Sequence, residues 1–386
     1  MDNFKFHAST EILFGKDQIN ALPDVLSRYG KNVLLAYGGG SIKKSGLYDT
    51  IMTLLRDFNV YGLADIEPNP HITSVERGAK LCRQHKIDVI LAVGGGSVID
   101  CSKVVAAAAL YEGHAWDLVM DPNLITKALP LVTVLTLAGT GSEMNKGAVI
   151  TNPKIQMKKG TGNWATMPKT SIIDPSYLYT LPARQTAAGS ADIFSHVLEN
   201  YFKNTPDAYV QDKIAEGLLQ TVIKYAPIAL KTPDDYSARA NLVWASSLAL
   251  NGLTGSGKGG SWSVHPIEHE LSAYYDLTHG IGLAILTPAW MRHILNIETV
   301  DKFVDYALNV WHLPKIDDKF KLALQGIEAT EDFFKSLGIP MSLSEVGINN
   351  ERFEMMAERA VELGYLHYSY VPLNVQDVIE ILNACA

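Results

Sequence analysis

Three short, almost wholly apolar runs stand out in the first half of the chain: KNVLLAY at 31–37, IDVILAV at 87–93 and LPLVTVLT at 129–136. None alternates polar with apolar residues over its length, which is the pattern of a strand buried on both faces of a parallel sheet. The first two end in GGGS and the third runs into LAGTGSE. Between them the period changes to that of a helix. Leu47, Ile51 and Leu54 share one face of SIKKSGLYDTIMTLLRDF, and SVIDCSKVVAAAALY reads as an alanine-rich helix. Strand, glycine turn, helix, repeated, predicts a parallel sheet with crossover helices, whose ligands sit beyond the carboxyl ends of the strands. Past Pro182 strand signals become scarce and long helical patterns take over, interrupted by the loop GLTGSGKGGSW at 252–262. The predicted organisation is an α/β domain over residues 1–182 and an all-helical domain over 183–386.

Composition narrows the class. Of 386 residues, 47% are apolar and 19% charged, which suits a compact globule and excludes a largely disordered chain. The net charge of −8, with no long basic run, predicts no nucleic-acid partner. No apolar run reaches the roughly 18 residues of a membrane span, and MDNFKFHASTEILFG lacks the core of a signal peptide. Cys82, Cys101 and Cys385 are odd in number and unpatterned, which fits a reducing, cytoplasmic setting.

Each glycine loop offers chemistry. GGGS at 94–97, between a strand and a helix, is either a tight turn or a phosphate cradle, where backbone N–H groups and a helix N-terminus meet an anion. YGGGSIKK at 37–44 carries Ser41, Lys43 and Lys44 and no carboxylate. It reads either as a solvated basic turn or as a site for the 2′-phosphate of NADP, since a carboxylate there would favour NAD. TLAGTGSEMN at 136–145 is an ordinary strand exit or a lining for the nicotinamide. Three such loops at successive strand ends point to a dinucleotide.

The helical half holds a second constellation. Asp192 and His196 are four apart on one helix face, as are His265 and His269, and His279 follows ten residues later. Pro266 is tolerated only in a first turn, so a helix starts close to His265. Any one of these histidines reads equally as a hydrogen-bonded core residue. Together, a carboxylate and several imidazoles suit a divalent transition metal with a position left for substrate. HPIEH (265–269) also matches the inverted zinc-protease motif H-x-x-E-H, with Glu268 as base. That alternative leaves the glycine loops without a purpose, and in it Glu268 otherwise reads as a helix-surface or capping carboxylate. Trp164, Trp262 and Tyr274 read as core aromatics or as walls of an apolar pocket.

The ordered series FHxxTEILFG, YGGGSIKKSGLYD, PNP, AVGGGSVIDCSK, AGTGSEMN, IIDPSYLYTLP, ADIFSHVLE and HPIEHELSA…DLTHGIGLAILTPAW resembles the iron-containing (group III) alcohol dehydrogenase family, nearest its NADPH-dependent butanol dehydrogenase and broad aldehyde reductase branch. The resemblance spans nearly the whole chain. It implies a dinucleotide-binding α/β domain, an all-helical metal-binding domain, and reversible hydride transfer between NADP(H), preferred over NAD(H), and a small aldehyde such as butanal. By position it implies Asp192, His196, His265 and His279 as ligands of one divalent metal, Fe2+ or Zn2+, with His269 close to the metal and nicotinamide without being a ligand. Proton delivery to the alkoxide needs a donor tuned near neutrality, and His269 is the candidate. Gly95, Gly96 and Ser97 would hold the pyrophosphate, and Gly38, Gly39 and Ser41 the adenosine 2′-phosphate. Thr136, Thr140, Asn145 and Lys158, the last beside a second lysine, would line the ribose and nicotinamide. Leu137 departs from the family, many members of which carry a small or hydroxyl residue there. A homodimer is also implied. Same-fold alternatives are a glycerol dehydrogenase or a dehydroquinate-synthase-like lyase, which NADPH and aldehyde would separate.

Overall fold

The computed structural model describes residues 1–203, 205 and 207–386. They form two compact units: His7–Leu181 with Pro233–Ser247, and Met1–Phe6 with Pro182–Thr232 and Leu248–Ala386.

The first unit is α/β. Its strands are β1 (Glu11–Phe14), β2 (Asn32–Tyr37), β3 (Asn59–Leu63), β4 (Val89–Gly94), β5 (Leu131–Leu135), β6 (Gly147–Asn152), β7 (Met157–Gly162) and β8 (Thr170–Ile173). Six make one parallel sheet in the order β1-β8-β5-β4-β2-β3, and β6 and β7 form a separate antiparallel hairpin. The three apolar runs are β2, β4 and β5, the central strands. Every residue of β4 and β5 is buried, as both-face coverage requires. Ile90, Ala92 and Leu135 pack with helices Ile72–Gln84 and Gly96–Ala108 on one face; Val33, Leu35 and Leu91 pack with Leu22, Val25 and Ile51 on the other. Thr133, the one polar residue of β5, is satisfied by the Ser171 hydroxyl at 2.7 Å.

The order of strands makes a switch point. From β2 the chain crosses outward to β3, then returns past β2 to β4 and continues to β5. The connections leaving β2 and β4 therefore diverge, and a crevice opens outside their carboxyl ends. Tyr37 is in register with Val93, so YGGG and GGGS emerge side by side at that crevice.

Among the described residues of the second unit there is no strand. Its helices include Ala183–Tyr201, Tyr209–Lys231, Val264–Tyr275 and His279–Ile294, packed around buried Phe194, Phe202, Trp290, Phe303, Tyr306 and Phe334. The N-terminal residues join this unit through the Asp2 N–H, which donates to the Gly257 carbonyl at 3.0 Å. Among the described residues no helix is long and apolar enough to cross a membrane.

Candidate functional site

In the helical unit, Asp192 and His196 lie one turn apart on helix Ala183–Tyr201, both buried. Helix Val264–Tyr275 carries His265 and His269, with Pro266 in its first turn, and His279 opens the next helix. Ligand atoms of Asp192, His265 and His279 all lie within 4.8 Å of one another. His196 lies against the same trio: its Nδ1 is 3.6 Å from Asp192 Oδ1, and its ring stacks on His265 at 4.7 Å between centroids. His269 is half-buried, with its ring 5.5 Å from that of His279 and 6.5 Å from that of His265.

Close packing makes this cluster. A Cβ on Gly280 would fall 1.9 Å from the Ala188 carbonyl oxygen, so only glycine lets His279 approach the Asp192 helix so nearly. A Cβ on Gly282 would strike Glu268 Cγ at 2.8 Å.

Two buried carboxylates orient the imidazoles, and neither role is legible in the sequence. Glu199 pairs with His265 Nδ1 and also accepts from the backbone N–H groups of Ser263 (2.5 Å), Val264 (2.6 Å) and His265 (3.2 Å), capping the helix. Burial opposes its ionisation, yet His265 and these donors hold its carboxyl below the usual range. Glu268 pairs with His279 Nδ1 and accepts from the Ser272 hydroxyl. It is fully buried, which corrects its reading as a surface or capping carboxylate and removes the base from the zinc-protease alternative.

With Nδ1 committed to a carboxylate, each histidine presents Nε2. That of His265 is buried and has no hydrogen-bond partner among the described residues. That of His279 lies 3.8 Å from Asp192 Oδ1. A buried imidazole nitrogen without a partner is costly unless a cation meets it, and carboxylate–histidine pairs of this kind support metal ligands. The donor set, three imidazoles and a carboxylate, fits one divalent transition metal.

In the α/β unit, Gly95 precedes helix Gly96–Ala108, whose first turn holds Ser97. A Cβ on Gly96 would meet Thr140 Oγ1 at 2.4 Å, and one on Gly95 would meet Leu137 Cβ at 2.9 Å. Leu137 therefore packs on the GGGS loop at 94–97. Gly38, Gly39 and Ser41 lie at the end of β2, where a Cβ on Gly39 would meet nothing within 4 Å, leaving room for a ligand. Thr136 closes the strand exit, its N–H donating to the Gly94 carbonyl at 3.0 Å.

Lys103 braces this region. Fully buried, it donates to Ser142 Oγ (2.8 Å), Asn145 Oδ1 (3.0 Å) and the Gly147 carbonyl (2.6 Å), and burial pulls its pKa down to about 8. Asn145 Nδ2 donates in turn to the Gly141 carbonyl at 2.8 Å, so this amide shapes the loop. Lys158 is buried on β7 while Lys159 is only half-buried. Tyr274 receives a hydrogen bond from Arg359, and exposed Trp164 packs on His7.

Residues 9–175 match the Iron-containing alcohol dehydrogenase family, and residues 186–386 match the Fe-containing alcohol dehydrogenase family, C-terminal. The chain belongs to the iron-containing alcohol dehydrogenases. NADH-dependent butanol dehydrogenase A of Clostridium acetobutylicum is 51% identical over 386 residues, 99% of each chain. The NADPH-dependent aldehyde reductase YqhD of Escherichia coli is 39% identical over 94% of each. The crystal structure of NADH-dependent butanol dehydrogenase A from Thermotoga maritima superposes with a TM-score of 0.94 at 40% identity, covering 100% of this chain and 99% of that one. This iron-containing alcohol dehydrogenase is thus an oxidoreductase of the alcohol dehydrogenase and aldehyde reductase type, in a family that works with nicotinamide dinucleotides.

Proposed function

We propose that the chain interconverts small primary aldehydes and alcohols, butanal and butanol among them, using NADP(H) in preference to NAD(H) and one Fe2+ held by Asp192, His196, His265 and His279. The observation that carries this reading is the trio of buried Asp192, buried His265 and half-buried His279, with ligand atoms within 4.8 Å and the His265 Nε2 without a hydrogen-bond partner among the described residues. A divalent ion held there supplies Lewis-acid polarisation of a carbonyl, worth several kcal/mol of charge stabilisation. Bound nicotinamide supplies the hydride for the carbonyl carbon.

The chain's own residues supply the rest. Glu199 and Glu268 fix the imidazoles so that Nε2 faces the site. His269 donates a proton from its ring to the nascent alcohol oxygen, and takes one back in the oxidative direction. The start of helix Gly96–Ala108 receives the pyrophosphate on the N–H groups of Gly96 and Ser97. Thr136, Thr140 and Lys158 line the ribose and nicotinamide side. The preference for NADP(H) is supported by residues 37–46, which contain no carboxylate and carry Lys43 and Lys44. Lys43 lies over the rings of Tyr37 and Tyr48, at 5.2 and 5.1 Å from their centroids. The butanol dehydrogenases and aldehyde reductase among its relatives support the substrate class, although their names include both coenzymes.

The test is butanal-dependent oxidation of NADPH by protein loaded with Fe2+ or Zn2+, with NADH as the matched control. Faster turnover with NADPH and Fe2+ is the expected result. Turnover with NADH alone would overturn the coenzyme assignment, and turnover with neither would overturn the reading. Three buried free cysteines support a cytoplasmic setting. The family resemblance supports a homodimer, which light scattering after gel filtration checks.

A further inference from the structure

We propose that Trp262 is the specificity-determining wall of the substrate pocket, setting how long or branched an alkyl chain can be beside the reacting carbonyl. The inference rests on the function proposed above. Its indole lies edge-to-face on His265, 4.4 Å between centroids, and 5.5 Å from the ring of His196. Both imidazoles are buried and Trp262, packed against them, is half-buried, so part of Trp262 reaches solvent beside the two rings. An aldehyde whose oxygen is held at these ligands must lay its carbon chain against whatever covers them.

The wall is rigid for reasons the backbone supplies. On its C-terminal side Glu199 ties down the N–H groups of Ser263, Val264 and His265. On its N-terminal side the Ser261 N–H donates to the Tyr368 carbonyl at 2.9 Å and the Ser261 hydroxyl to the Tyr365 carbonyl at 3.0 Å. The Ser369 hydroxyl reaches the Trp262 carbonyl itself at 3.4 Å. The glycine-rich loop 252–262 thus ends in a strapped segment that cannot swing the indole aside. A fixed aromatic surface discriminates by shape, since each methylene that fits or clashes changes kcat/KM by about tenfold or more.

The experiment compares wild type, Trp262→Phe and Trp262→Ala on straight-chain aldehydes from propanal to octanal and on 2-methylpropanal, with bound metal and melting temperature measured for each. The proposal expects kcat/KM for octanal relative to propanal to rise at least about tenfold in Trp262→Ala, with Trp262→Phe between. Loss of activity by one common factor across the series would overturn it and leave Trp262 a packing partner of the imidazoles. A second readout needs no turnover: Co2+ alone, titrated into metal-free protein, quenches tryptophan fluorescence, and Trp262→Phe removes most of that quench. An unchanged quench would show that the indole is not beside the ion and would also overturn the proposal. A wild type that binds Co2+ with the expected quench but reduces no aldehyde fails the functional reading instead, and this assignment with it.

Discussion

Glu268 pairs with Nδ1 of His279 from the adjoining helix, and no part of the Glu268 side chain reaches solvent. This contact fixes which imidazole nitrogen faces Asp192. Glu268→Gln keeps the shape but removes the charge that makes His279 a stronger donor. Affinity for Zn2+, measured against a competing chelator, should fall about 10–100-fold. Unchanged affinity would show that the carboxylate serves packing alone.

Gly280 tests the close approach of two helices. With 1.9 Å between a built Cβ and the Ala188 carbonyl oxygen, Gly280→Ala must push helix His279–Ile294 away from helix Ala183–Tyr201. Urea unfolding should show a loss of about 1–3 kcal/mol, and metal binding should weaken with it because His279 moves from Asp192. A variant as stable as wild type that binds metal normally would contradict the packing argument.

His269 and Asp192 separate two roles within one cluster. His269→Ala should lower kcat by on the order of a hundredfold while metal analysis still finds one ion per chain. Asp192→Ala and His279→Ala should yield protein without the ion. Loss of metal from His269→Ala would make that residue a ligand.

Glu270, next to His269 on helix Val264–Tyr275, gives a pH-dependent prediction for stability. Burial raises its pKa from the ordinary 4.5 to about 7, despite Arg359 Nε at 2.8 Å. Because the folded pKa lies above the unfolded one, its contribution to stability is fully present below about pH 4.5 and is lost as pH rises through about 7. Glu270→Gln lacks that titration. The stability of the metal-free variant relative to wild type should therefore rise between pH 4.5 and 7, read by denaturant unfolding at each pH. A flat difference would place the carboxyl at its ordinary pKa.

The central sheet and the clustering of Asp192 with the histidines are legible in the sequence. β2, β4 and β5 are legible because burial on both faces leaves no polar alternation to confuse them, and their glycine exits mark the strand ends. Asp192 and His196 are legible as a pair because the helical period puts residues four apart on one face. Glu199 and Glu268 were not. Each looks like any helix carboxylate until a separate segment brings an imidazole to it: His265 lies 66 residues from Glu199. β1 and β8 are not legible either, since four-residue strands carry too little period to read, and their pairing joins segments far apart in the chain. Lys103 reads as a polar residue of an alanine-rich helix. Only the fold shows that it carries the brace between that helix and the loop ending at Gly147.

The most direct test of the account is removal and return of the ion. Protein stripped with a chelator should lose butanal-dependent oxidation of NADPH while keeping its fold, and one equivalent of Fe2+ should restore it. Stripped protein that turns over as fast as the loaded enzyme would contradict the claim that Asp192, His196, His265 and His279 work by holding a metal.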